Sequence, residues 1–174
     1  GLRPSFKVLD HGRENNQGPL QGGPTIQRRR FLMTDVYQLQ RFIDAQFPIY
    51  EGAIHQLRQR ELDPAWMAFV FPRFVNCYHD PSTGVFAIGS LDEARAYLAH
   101  PLLGPRMRES LAALGWLHDI EPADVLSELD QQNLHSSLTL FGEATNESLM
   151  RDMLATWFGC RADETTMIQL DLRA

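Results

Sequence analysis

Lysine is almost missing from this chain, and that scarcity removes several chemistries at once. Lys7 is the single lysine, and every basic residue after position 32 is an arginine. The body of the protein therefore cannot form a Schiff base with pyridoxal phosphate or a carbonyl substrate, nor supply the lysine of a phosphate-binding loop. Neither the G-x-G-x-x-G dinucleotide fingerprint nor the G-x-S-x-G nucleophile elbow occurs, which disfavours the familiar nicotinamide enzymes and nucleophile-elbow hydrolases. Cysteine is scarce too. Cys77 and Cys160 are far apart with no C-x-x-C partner, a pattern that fits two free thiols rather than a disulfide or a zinc site. No run of about 18 apolar residues is present, so no membrane span is expected. The start of the chain lacks the charged-then-apolar build of a secretory signal, which points to the cytoplasm. No cofactor and no metal are expected.

What is present is enough for one core: 174 residues, 44% of them hydrophobic. Charge divides the chain. Residues 1–32 carry six basic and two acidic side chains, a balance of +4, while the remainder carries ten arginines and 20 carboxylates, a balance of −10. An acidic body repels phosphate backbones, so nucleic-acid binding by residues 33–174 is not expected. The basic stretch is rich in Gly, Gln, Asn and Pro with few apolar anchors and reads as a flexible, disordered arm. Arg28-Arg29-Arg30 within it is either a docking or nucleic-acid patch or part of an extension foreign to the domain that follows.

Helical signals dominate residues 33–174. Asp35 is placed to cap a helix with Val36, Leu39, Phe42 and Ile43 facing inward through Gln46, and Pro48 opens a second with Tyr50, Ala53, Ile54 and Leu57 inward. Asp63-Pro64 reads as a cap and a first-turn proline ahead of a short buried helix over Trp66-Met67-Ala68-Phe69-Val70-Phe71, for which a central strand is the alternative. Val85–Ile88 reads as one short strand after a turn. Ser90 and Glu93 make a capping box, followed by an apolar stripe of Leu91, Ala94, Tyr97 and Leu98 that Pro101 ends. His100 then lies at a helix C-terminus, where the dipole favours its cation. Met107, Leu111 and Leu114 repeat at helical spacing, and Gly115 is expected as a left-handed cap. Pro122 starts another helix, Asp130 is placed to cap a segment through Phe141, and Asn146 to cap one ending at Gly159 with Leu149, Met153 and Trp157 inward. The fold class expected is mainly α: one multihelical globular domain over 33–174, at most one short strand pair, and the arm over 1–32. Trp66, Phe69, Phe71, Trp116, Phe141 and Trp157 are the expected core aromatics.

The segments LQRFIDAQ, WMAFVFP, IGSLDEARAYLAHPLLGPRMRESLAALG, SSLTLF and WFGCRADETTM together resemble the bacterial domain of unknown function 1810 family, from about Met33 to about Leu170. The resemblance implies a small, single-domain, mostly helical intracellular protein and names no reaction. Some members carry the label calpastatin, which suits a disordered repeat protein and not a chain without repeats. Where members read HWMWFxFPQ this chain reads AWMAFVFPR, so Ala65 stands for a histidine, Ala68 for a tryptophan and Arg73 for a glutamine. Any family site built on that histidine and glutamine would be lost or rebuilt here.

Three polar groupings remain. Cys77-Tyr78-His79-Asp80 holds residue types used in nucleophilic and metal chemistry, but contiguity favours a solvated loop. His135, Ser136, Ser137 and Thr139 form a hydroxyl-rich helical segment, read as a packing face whose hydroxyls bond the preceding turn. Arg73, at a family position beside an aromatic run, suits a carboxylate or phosphate, with a surface salt bridge as the plainer reading. The leading expectation is a polar cleft for a small anionic or nucleotide-like ligand, lined by Arg73, His135, Ser136 and Thr139, with Asp44 and Gln46 as further candidates. The alternative is a non-catalytic protein–protein interaction module.

Overall fold

The structure, a computed structural model, describes residues 35–59, 67–77 and 84–173, and among these it forms nine α-helices and no strand. In chain order they are α1 (Gln40–Gln46), α2 (Tyr50–Arg58), α3 (Met67–Val70), α4 (Leu91–Ala99), α5 (Leu103–Gly115), α6 (Pro122–Val125), α7 (Glu128–Ala144), α8 (Ser148–Phe158) and α9 (Glu164–Asp171). The mainly α class read from the helical period is the observed one. The expected strand over Val85–Ile88 is not: Gly84–Phe86 is a turn of 3₁₀ helix. Among the described residues the pairing is a single parallel bridge between Phe74 and Ile88. Only Ile88 of that run is fully buried while Val85 is exposed, so the segment has no apolar alternation to bury against a second strand. The basic arm, Asp63-Pro64, Trp66 and Tyr78-His79-Asp80 lie outside the described residues.

Caps explain where the helices start. Ser90 Oγ accepts the Glu93 N–H at 3.1 Å, as the capping box predicts, but the Glu93 carboxylate accepts from Gly89 N–H at 2.8 Å rather than from Ser90. Ser127, not Asp130, caps α7: its Oγ accepts the Asp130 N–H at 3.2 Å and donates to the Asp130 carboxylate at 2.6 Å. That helix begins at Glu128, two residues ahead of Asp130. Asn146 is likewise not the cap of α8, whose N-cap position is Glu147. Glu147 instead grips Arg108 of α5, 2.9 Å from Nε to one carboxylate oxygen, and that pairing holds its carboxyl below the usual range. Gly159 ends α8 in the left-handed conformation at φ 60° as expected, whereas Gly115 is still helical and its place is followed by a right-handed Trp116.

His100 departs most from its expectation. Its backbone is extended between α4 and α5, and its Nδ1 accepts the Leu102 and Leu103 N–H groups at 3.1 and 3.4 Å. An accepting Nδ1 carries no proton, so the imidazole caps the start of α5 as a neutral ring instead of serving as a cation at the end of α4. Burial pushes its pKa below the ordinary histidine value, with the Asp35 charge pulling the other way.

α7 is the central element, packed against α3, α4, α6, α8 and α9. Leu134, Leu138, Leu140 and Phe141 on it are fully buried. Aromatic side chains tie it to the N-terminal helices: Tyr97 meets Phe141 at 5.4 Å between centroids and Phe42 edge-on at 5.0 Å. Two expected core residues face water. Trp116 is 78% exposed because it lies one step beyond the stripe of Met107, Leu111 and Leu114, and Leu117 takes the inward position instead. Val36 is 79% exposed because the helix starts only at Gln40, after Gln38 turns the backbone to φ 53°. Asp35 still serves the helix start, accepting Leu39 and Gln40 N–H groups at 2.6 and 3.1 Å.

Candidate functional site

The N-terminus of α9 gathers most of the polar side chains that the sequence singles out. Asp163 caps it, its Oδ2 accepting both the Thr166 N–H at 2.9 Å and the Thr166 hydroxyl at 2.6 Å. Having given its proton to Asp163, the Thr166 oxygen can only accept from Ser136 Oγ, 2.7 Å away on α7, and from Cys77 Sγ at 3.5 Å. The Asp163 N–H donates in turn to Thr139 Oγ1 at 2.8 Å. Ser136 and Thr139 thus bond across to α9, not back to the preceding turn of their own helix. Tertiary contact wins because α9 brings orphan N–H and carboxylate groups that water cannot reach.

Cys77 belongs to this cluster and is buried, which corrects the expectation of a solvated position. Burial pushes its thiol above the ordinary value and the Asp163 charge adds to that, while the Thr166 and Ser136 hydroxyls and the Arg73 guanidinium pull it down. The net direction is upward, so the sulfur is a neutral thiol and a poor nucleophile at neutral pH. Arg73 is only 5% exposed, which removes the surface salt bridge as its explanation.

His135 closes the outer edge. Its ring stacks flat on Phe158 of α8, centroids 4.1 Å apart and planes within 4°. Nε2 lies 2.7 Å from the Arg161 carbonyl oxygen, and Nδ1 lies 3.9 Å from Asp163 Oδ1. Two further side chains on α7 stand out: Asn133 Oδ1 and Ser137 Oγ, one helical turn apart and buried, make no hydrogen bond. Buried polar groups normally have partners, from protein or from a bound molecule.

Gln46 and Asp44 lie apart from this group. Gln46 is buried, donating to the Phe69 carbonyl at 2.8 Å and to Tyr97 Oη at 3.0 Å, and accepting from Arg106 at 3.3 Å. Arg106 lies over the Tyr50 ring at 4.6 Å, and Tyr50 donates to Glu109 at 2.7 Å. Burial pushes both tyrosine phenols up, so they act as neutral hydrogen-bonding groups that fasten α1, α2, α4 and α5. Asp44 is exposed and accepts from Gln40 at 2.8 Å. Among the described residues no three His, Cys, Asp or Glu side chains gather as a metal site, and no helix is long and apolar enough to cross a membrane.

Asp163 and Thr166 are the cluster members that the helical stripes do not indicate. Their signal is an N-cap pattern, Asp163 ahead of Glu164 and just past the Gly159 stop, which marks a helix start without saying what it meets.

A family model described as "Protein of unknown function (DUF1810)" matches residues 36–170. Among solved structures, the crystal structure of the conserved hypothetical protein Rv1873 from Mycobacterium tuberculosis is similar, with a TM-score of 0.76 and 34% sequence identity over 79% of this chain and 99% of that one. No curated protein gives a significant match.

Proposed function

The chain belongs to the family described as Protein of unknown function (DUF1810), and from that premise we propose that it binds a small anionic or nucleotide-like ligand beside α7 and the N-terminus of α9. One observation carries this reading. A nearly fully buried guanidinium, Arg73, acts on the same thiol that Thr166 and Ser136 touch, so a fixed positive charge and a row of hydroxyls share one region of the core. Guanidinium and hydroxyl donors are the groups that bind phosphate and carboxylate oxygens. Asp163 already occupies the positive end of α9, so the helix terminus itself is not the anion site. The unpartnered Asn133 and Ser137 atoms add two places where a bound molecule would complete hydrogen bonds. Both the binding role and a cytoplasmic location are readings from sequence chemistry.

The test is a thermal-shift screen of nucleotides, sugar phosphates and ADP-ribose derivatives on the wild type and Arg73→Ala. A ligand that binds only the folded state raises its stability. The expected result is a shift with a phosphate-bearing compound that Arg73→Ala abolishes. A shift that survives in the variant removes Arg73 from the site.

A second reading, a non-catalytic interaction module, is favoured by a different observation. Ile168 on α9 and Leu172 at its C-cap are 50% and 74% exposed, and Trp116 also projects into solvent. A concentration-dependent change in molecular mass that Leu172→Asp removes would favour this reading.

A further inference from the structure

We propose that Arg106 of α5 holds a small anion, a carboxylate or a phosphate, at a site that shares no residue with the α9 cluster. Four arginines among the described residues are buried or half-buried: Arg41, Arg73, Arg106 and Arg108. Arg41 pairs with Glu93 and Arg108 with Glu147, in each case through Nη2 with Nε bonded alongside. Arg73 is buried deeper and has contacts of its own. Arg106 is held by neutral groups instead. Its Nη1 donates to Gln46 Oε1 at 3.3 Å, and its guanidinium carbon lies 4.6 Å from the centre of the Tyr50 ring. Its Nε and Nη2 make no hydrogen bond among the described residues. The residue is partly exposed, and none of its nitrogens is among the sealed-off polar atoms of the core. The Nε–Nη2 edge carries two parallel N–H bonds, which match two oxygens of a carboxylate or phosphate. Arg108 shows that match within this molecule, Nε donating to one oxygen of Glu147 and Nη2 to the other.

Glu109, three residues on along α5, is the carboxylate of this network, and both its oxygens are in use. One accepts from Tyr50 Oη at 2.7 Å and the other from Arg58 at 2.8 Å. Tyr50 and Tyr97 keep their protons because burial pushes both phenols up, so neither neutralises the guanidinium. The anchor is rigid as well. Gln46 is buried, and its amide donates to the Phe69 carbonyl and to Tyr97 Oη, which fixes Oε1 before it meets Arg106. A guanidinium pinned by that oxygen and by the face of Tyr50 loses little freedom when an anion arrives, unlike the exposed Arg151. A spherical ion gains less from two parallel N–H bonds than a pair of oxygens does. Carboxylates outnumber arginines in the body and oppose anions at long range, so this contact geometry supplies the attraction.

The experiment is a proton–nitrogen NMR titration of the full chain in which acetate or inorganic phosphate replaces chloride at constant ionic strength. A control replaces chloride by bromide. The Arg106 Nε–H resonance, assigned through its own backbone, is followed in the wild type, so this arm does not depend on any variant folding. The expected result is a saturating shift with acetate or phosphate and none with bromide, and whichever oxyanion saturates first identifies the ligand as carboxylate or phosphate. Arg106→Lys keeps the charge and loses the fork. In that variant the midpoint read on the Gln46 side-chain amide should rise about tenfold. No saturating shift with either oxyanion, or an equal one with bromide, overturns the proposal, as does an unchanged midpoint in Arg106→Lys. Arg73 takes no part here, so such a failure leaves the reading of the α9 cluster standing.

Discussion

Arg41 and Glu93 join the first helix to the fourth across 52 residues of chain, their side chains 2.6 Å apart and both largely buried. The same guanidinium donates to the Val85 carbonyl at 2.8 Å, and the same carboxylate accepts the Gly89 N–H. A capping residue is thereby also a tertiary tie. Removing one partner of a buried pair leaves the other charge uncompensated, so Arg41→Ala should cost about 2–4 kcal/mol. Ser90→Ala, which loses only a cap bond, should cost about 1 kcal/mol. Urea unfolding of both variants checks the order, and a milder Arg41→Ala would show the tie to be dispensable.

Ser136 and Ser137 are neighbours in sequence with opposite expectations. Ser136→Ala removes the donor to Thr166 inside a buried network and should cost about 1–3 kcal/mol. Ser137 makes no hydrogen bond in its buried position, so Ser137→Ala should be neutral or stabilising by up to about 1 kcal/mol. A clear loss of stability in Ser137→Ala would reveal a bound molecule at that hydroxyl.

His100 gives a pH dependence whose sign follows from its role. Its pKa is lowered on folding, so between the folded value and the ordinary value near 6.5 the unfolded chain binds more protons. Its contribution to stability is complete above that ordinary value and is lost as pH falls toward the folded one. His100→Asn supplies an accepting side chain without a titration. The variant should lose less stability than the wild type between pH 7.5 and pH 5 in chemical unfolding. Equal losses would show that the neutral cap is not what the acid disrupts.

Trp116 and Phe141 test the division between surface and core. Trp116→Ala should change stability by no more than about 0.5 kcal/mol, because the ring is in water. Phe141→Ala should cost about 3–5 kcal/mol, because its fully buried ring packs on Tyr97. A large loss from Trp116→Ala would place that ring in an interface present in solution.

Local chemistry in the sequence determined most of where helices lie. The stripe of Tyr50, Ala53, Ile54 and Leu57, the Ser90 cap, the stop before Pro101 and the left-handed Gly159 depend on neighbours within a turn or two, and each appears where the spacing puts it. Ser127 was also legible, as a serine followed three residues later by an acid. The tertiary structure alone decided which surfaces those helices meet. Periodicity marks Ser136 and Thr139 as one face of α7, but only the arrival of α9 gives their hydroxyls Thr166 and Asp163 as partners. It likewise took the packed chain to bury Cys77 and Arg73, to separate Gln46 from the cluster, and to turn Trp116 outward in favour of Leu117. A stripe fixes the direction of a side chain relative to its own helix within a few residues. What that side chain touches depends on contacts tens of residues away, where no local spacing carries information.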